Sequence, residues 1–351
     1  MNASDRGVLV TVEGFSGRIT LNRPRALNAL DHEMVRTIGE TLSEWENDNR
    51  VRTVVLDGSG ERGLCAGGDI RSIYDDARTG GTASLDFWRD EYRLNAQIAR
   101  YSKDYVAVMD GLVIGGGVGV SAHGSIRIVT ERTRISMPET SIGFTPDVGS
   151  SYLLSRAPGE LGTHAALTAG HLSGADAIYF GLADYYVPSG KLPALMVALQ
   201  TLPADSAVSS FAETPPESPL ASERVWIDAC FGANNVEEIV SRLQASSAGD
   251  EANSAASKVL ANSPTALKVA LRALRSASDL SLEAAIEQEY RMAAACLRSA
   301  DFVEGIRAQI VDRDRRPRWS PASLEQVDER AVNQYFKVPE LGDLRLSSAQ
   351  N

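Results

Sequence analysis

Short apolar runs alternate with longer stretches of helical periodicity over the first half of the chain, a pattern that points to an α/β architecture. Residues 8–12 and 17–21, joined by Glu13-Gly14-Phe15-Ser16, read as a β-hairpin. Asp31 then caps a helix in which Met34, Val35, Ile38, Leu42 and Trp45 recur at helical spacing. Residues 51–57 read as a buried strand that stops at Gly58-Ser59-Gly60, residues 85–100 as a helix and 105–109 as the next strand. Short strands are expected at 126–129 and 134–137, and 159–182 reads as helical in two pieces broken at Gly170 and Gly174.

Beyond Pro188 the character changes. Pro203, Pro215, Pro216 and Pro219 punctuate a polar stretch, after which long helical patterns cover 237–245, 252–262, 265–278 and 281–300. The pattern therefore predicts a compact core over 1–190 and a mainly helical region over 191–351. The last segment, 313–319, is basic and proline-containing; it reads equally as a solvated turn or a binding element.

Composition narrows the function. At 351 residues, 43% hydrophobic and 23% charged, the chain is an ordinary globular protein. Its net charge of -11 repels nucleic acid and anionic membranes, so any anionic ligand needs local basic groups and backbone donors. Cys65, Cys230 and Cys296 are too widely spaced for a CxxC motif and too few for a disulfide framework, which fits a reducing cytoplasm. Residues 1–21 lack the charged-then-apolar order of an export signal, and nowhere do 18 apolar residues run together.

Two glycine-rich loops carry candidate chemistry. Leu64-Cys65-Ala66-Gly67-Gly68-Asp69-Ile70 precedes one helical run, and Gly111-Leu112-Val113-Ile114-Gly115-Gly116-Gly117-Val118-Gly119 follows the strand at 105–109 and leads into another. Backbone N–H groups at such loop-to-helix junctions are free donors, and two of them converging on one oxygen stabilise an oxyanion. Gly117-Val118-Gly119-Val120-Ser121-Ala122 also satisfies a relaxed dinucleotide fingerprint, but Gly124 ends any helix after about two turns and no crossover helix follows. Further on, Glu139 and Asp147 flank a loop bent by Gly143 and Pro146, where one acid can act as base or nucleophile and the other as proton donor.

Ala66-Gly67-Gly68-Asp69-Ile70, Gly115-Gly116-Gly117 and Pro138-Glu139, in this order, resemble the crotonase, or enoyl-CoA hydratase/isomerase, superfamily. The opening stretch Leu21-Asn22-Arg23-Pro24-Arg25-Ala26-Leu27-Asn28 looks like that family's CoA-contacting segment. The resemblance implies a crotonase-like spiral of ββα units with a helical C-terminal region, an oxyanion hole from the N–H groups of Gly68 and Gly116, and a CoA path lined by Arg25, Ala26, Leu27, Ala66, Asp69 and Ile70. Where hydratases carry a first catalytic glutamate, this chain has Gly119, which puts a two-glutamate water addition in doubt; Glu139 keeps the second position.

Phe87-Trp88-Arg89-Asp90-Glu91, the run from Glu139 to Asp147 and Arg316-Pro317-Arg318-Trp319-Ser320-Pro321 are most similar to a subgroup that hydrolyses short branched 3-hydroxyacyl-CoA thioesters such as 3-hydroxyisobutyryl-CoA, from valine breakdown. That likeness implies that Glu139 attacks the thioester or activates water, that Asp147 donates a proton or orients the reacting group, and that Glu91 reaches the 3-hydroxyl. Isomerisation of an unsaturated acyl-CoA and non-catalytic acyl-CoA binding stay open. Coenzyme A is part of the substrate, and no other cofactor and no metal is implied. Family members commonly associate as trimers or hexamers, so a homo-oligomer is an expectation. No GxSxG, GxxxxGK[ST] or HExxH occurs, and His32, His123, His164 and His171 include no i, i+4 pair.

Overall fold

The computed structural model describes residues 6–346. Ten strands appear among them: β1 (Val8–Glu13), β2 (Ser16–Leu21), β3 (Thr53–Gly58), β4 (Gly63–Cys65), β5 (Asp104–Met109), β6 (Leu112–Ile114), β7 (Ile126–Val129), β8 (Arg134–Ser136), β9 (His171–Ser173) and β10 (Tyr185–Tyr186). The hairpin β1–β2 opens a six-stranded sheet of order β1-β2-β3-β5-β7-β10, parallel from β2 onward. A second sheet has the order β4-β6-β8-β9. Successive strands β3 to β8 thus alternate between the two sheets, odd numbers in one and even in the other. This alternation, with helices after β4 and β6, is the spiral of ββα units expected.

Local chemistry explains the elements. Asp31 accepts from the Met34 N–H at 2.9 Å and so starts the helix His32–Glu46, whose Met34, Val35, Ile38, Leu42 and Trp45 are buried as the spacing requires. The break near Gly170 holds β9 instead of a plain kink. Ala169 is left-handed at φ 51°, and Ser173 with Asp176 forms a capping box that starts the helix Gly174–Phe180. Strands β4 and β6 lie inside the two glycine loops; at three residues each, they are too short for periodicity to reveal.

Compactness does not divide the chain at residue 190. One unit comprises the chain up to Gly68, Asp90–Ser136 and Leu172–Pro219; the other comprises Asp69–Arg89, Met137–His171 and the chain from Leu220 on. The physical reason lies in the first unit's core, where Leu195, Leu199, Ala207 and Val208, all beyond 190, pack against Val55, Val106, Val108, Ile126 and Ile128 of the large sheet. No strand begins after β10 among the described residues, so the helical character of the later chain holds. Residues 1–5 and 347–351, the outer ends of the expected division, lie outside the described residues.

The second unit is helical, and the helix Pro219–Phe231, which starts at the last proline of the polar stretch, belongs to it from Leu220 on. Val269, Ala273, Met292, Val327 and Val332 form one of its cores. The basic segment near the C-terminus is strapped down there. Trp319 Nε1 donates to the Ala261 carbonyl at 3.0 Å, the Ser320 N–H to Asp301 Oδ1 at 2.7 Å and the Arg318 N–H to Glu304 Oε1 at 2.8 Å.

Among the described residues no helix is long and apolar enough to cross a membrane. His164 is half-buried in the second unit, packed edge-on against Trp226 and Phe231 at centroid distances of 6.0 and 5.2 Å. Burial, helped by the Lys258 charge, lowers its pKa to about 4. A depressed pKa contributes stability that is present above about 6.5 and lost as pH falls through 4, here about 3 kcal/mol. Urea titrations between pH 7 and 4 should show this loss, and in His164→Phe the slope over that interval should flatten.

Candidate active site

In the first unit, β4 runs into Gly67 at φ 97° and then Gly68, and the loop is stitched to the segment before it. The Leu30 N–H donates to the Gly67 carbonyl at 2.8 Å and the Ala66 N–H to the Leu27 carbonyl at 3.0 Å. The expected CoA-contacting residues Leu27 and Ala66 therefore share a hydrogen bond. Arg25 and Ala26 form the short turn Pro24–Ala26 and are exposed, as a group meeting a large solvated ligand must be.

Asn28, whose role the sequence did not reveal, holds this corner together. Fully buried, it accepts from the Arg23 N–H at 2.9 Å and donates to the Ser59 and Gly63 carbonyls at 3.0 and 3.1 Å. The last two expected CoA contacts, Asp69 and Ile70, begin the second unit, with Asp69 at the start of the helix Ile70–Thr79.

Gly115, at φ 50° and ψ -116°, turns the chain from β6 into the short helix Gly116–Gly119. The Gly116 N–H belongs to the first turn, where no intrahelical acceptor exists. A Cβ at Gly116 would lie 3.5 Å from the Gly68 nitrogen and 2.5 Å from Glu91 Oε1. The fold thus brings the two expected oxyanion glycines side by side and sets the buried Glu91 carboxylate, carried by the helix Ala83–Ala99, directly against them. One turn further along the same helix, Asn95 is fully buried, and neither of its side-chain polar atoms is hydrogen-bonded among the described residues. Cys65, at the end of β4, is pushed up to about 12 by burial, so it stays a thiol and serves packing.

In the second unit, Glu139 opens the 3-10 turn Glu139–Ile142, closed by Gly143 at φ 71° and by a hydrogen bond from the Phe144 N–H to the Glu139 carbonyl at 3.0 Å. Phe144 stacks on Trp88 and packs at a tilt against Phe302, with centroids at 5.2 and 5.0 Å, which anchors the loop between the two acids. Glu139 and Asp147 are both buried, and Glu139 Oε2 makes no hydrogen bond among the described residues. Burial first, then the nearby Asp147 and Glu289 charges, hold the Glu139 pKa well above the usual carboxylate range.

Glu289 is the third acid, and the sequence reading missed it. It lies on the helix Leu282–Cys296, where Ala285, Ile286, Met292, Ala293 and Cys296 are buried; a glutamate on that apolar stripe is the signal that could have found it. Its carboxyl group is pushed up to about 8 by burial, against hydrogen bonds from Ser151 and Gly149 that lower it. The Asp147 charge thus helps to raise the pKa of both Glu139 and Glu289, and buried carboxyls raised in this way suit acid–base chemistry. Position 119, in contrast, is a buried glycine with no group to offer.

The sequence profile of the family described as enoyl-CoA hydratase/isomerase matches residues 16–336. The chain belongs to the enoyl-CoA hydratase/isomerase family. It is 40% identical over 350 residues to the mitochondrial 3-hydroxyisobutyryl-CoA hydrolase of Gallus gallus, covering 97% of this chain and 91% of that protein. To the Homo sapiens enzyme of the same name it is 39% identical over 351 residues, with 96% and 90% covered.

Among solved structures it is similar to a carnitinyl-CoA dehydratase from Mycobacterium thermoresistibile, at 51% identity and a TM-score of 0.94, covering 96% of this chain and 98% of that one. An enoyl-CoA hydratase from Rhodobacter sphaeroides 2.4.1 follows at 39% identity and a TM-score of 0.91, covering 97% and 99%. Enoyl-CoA hydratase/isomerase membership agrees with the resemblance seen in the glycine loops and in Pro138-Glu139.

Proposed function

We propose that this chain hydrolyses a short branched 3-hydroxyacyl-CoA thioester, 3-hydroxyisobutyryl-CoA in the first instance, to the hydroxy acid and coenzyme A. The observation that carries the reading is the set of acids: Glu139 buried with a carboxylate oxygen unbonded, Asp147 buried eight residues on, and no carboxyl at position 119. The relatives named as hydrolases support it over nearly the whole chain.

In this reading the Gly68 and Gly116 N–H groups donate to the thioester oxygen and stabilise the charge that develops there. Glu139 attacks the carbonyl carbon or takes a proton from the attacking water, and Asp147 returns a proton to the departing sulfur. The C–S bond breaks, the oxygen of water ends in the new carboxylate, and the thiolate leaves as the thiol. Glu91 accepts from the substrate's 3-hydroxyl; Arg25, Ala26, Leu27, Ala66, Asp69 and Ile70 line the CoA path. No cofactor beyond the substrate's own CoA enters the proposal. Release of free thiol from 3-hydroxyisobutyryl-CoA, followed with a thiol reagent, tests it; a rate no higher than that of Glu139→Gln overturns it.

A second reading, addition or removal of water across a double bond, is favoured by the names of the two structural relatives. It predicts loss of absorbance at an enoyl-CoA double bond without thiol release, and Gly119 speaks against it. The proposal also places the protein in the cytoplasm, supported by three buried free cysteines, although the named hydrolases are mitochondrial; cell fractionation decides. It further includes self-association as a trimer or hexamer, to be read by light scattering.

A further inference from the structure

The turn that follows Asp147 is strained. Val148 sits at φ 56° and Gly149 at φ 81°. The left-handed region suits glycine, but for a β-branched valine it is a genuine outlier that persists only where surrounding structure enforces it. Three hydrogen bonds that hold this turn come from one side chain. Glu289 Oε2 accepts from the Gly149 N–H at 2.6 Å, and Oε1 accepts from the Ser151 N–H at 2.9 Å and from Ser151 Oγ at 2.5 Å. Glu289 is fully buried and comes from a helix 138 residues beyond Ser151.

We propose that Glu289 is a positioning residue, which clamps the strained 148–151 turn and thereby fixes the direction of the Asp147 carboxyl group. The clamp works in either protonation state, because the Ser151 hydroxyl can donate to a carboxylate or accept from a protonated acid. Glutamine cannot replace it: two backbone N–H groups approach different oxygens, so the amide NH2 must face one of them, donor against donor. The inference rests on the proposed hydrolysis for its kinetic consequence alone.

In Glu289→Gln, kcat for thiol release should fall about 100-fold with KM changed less than about threefold, the effect of misdirecting a catalytic group by a fraction of an ångström. Adding Val148→Gly, which removes the strain, should recover about tenfold of that kcat; a purely structural role for Glu289 gives no such recovery. Amide hydrogen exchange at Gly149 and Ser151, slow in the unaltered protein, should quicken about 100-fold at one of the two in Glu289→Gln. Unchanged exchange, or unchanged kcat in a folded variant, overturns the proposal. If Glu289→Gln does not fold, Glu289→Asp is read in the same way, and failure of both to fold also overturns it, since Glu289 then belongs to the core. Should the unaltered protein release no thiol, the hydrolase reading fails while the exchange experiment still decides the clamp.

Discussion

Glu139→Gln is expected to bind acyl-CoA with unchanged affinity and to lose thiol release by about 10³-fold or more, because an amide of the same shape is neither base nor nucleophile. The loss should come entirely in kcat. Stability should move in the opposite direction. The Glu139 pKa is raised in the folded state by burial, Asp147 and Glu289, so the stability this group contributes is full below its ordinary value near 4.5 and is lost as pH rises. Glutamine carries no such penalty, and thermal melts at pH 8 should show the variant at least as stable as the parent. A dead but stabilised protein separates a catalytic role from a structural one. The same pKa sets the pH profile: kcat/KM should rise with pH along a limb lying above the normal carboxylate range. Asp147→Asn, by removing a neighbouring charge, should shift that limb to lower pH.

Gly116→Ala should lower kcat/KM by roughly 100-fold, of the order of losing one oxyanion donor. The added methyl would meet Glu91 Oε1 at 2.5 Å and Leu30 Cδ1 at 3.3 Å, distances at which the carboxylate must move aside. Both functions assigned to this corner then suffer, the alignment of the Gly68 and Gly116 donors and the contact between Glu91 and the 3-hydroxyl. A comparison of 3-hydroxyisobutyryl-CoA with isobutyryl-CoA reads the second effect. The parent should prefer the hydroxylated thioester, and the variant should lose much of that preference. Retention of the full preference would remove Glu91 from the hydroxyl subsite.

Much of this was legible because the pieces are local. Asp31 and the apolar spacing behind it set a helix without help from the rest of the chain, and the glycine runs announced donors wherever the fold would place them. The acids at 139 and 147 were visible for the same reason, being held by a turn whose glycine and prolines stand in the sequence. Strands β4 and β6 were not legible, since three residues carry no period and their pairing is set by partners about fifty residues away. Glu289 was hidden by distance, its meaning being supplied by Gly149 and Ser151 in another part of the chain. The helices from residue 237 on were recognised, but not those at Leu192–Ala198 and Ala204–Phe211 that cover the large sheet, because burial of Leu195 and Val208 is a tertiary fact.

The interleaving of the two compact units has a consequence for how the protein is made. Residues 137–171, with Glu139 and Asp147, leave the ribosome well before the helices that complete their unit, and Glu289 follows Gly149 by 140 residues. At 5–20 residues per second the strained turn waits about 7 to 28 seconds for its buried acceptor. Over that interval the nascent chain carries the acids of the proposed chemistry without the support that aims them. Activity should therefore appear only once synthesis is nearly finished, and a premature stop anywhere before residue 289 should yield an inert product that chaperones and proteases recognise by its uncovered apolar surface.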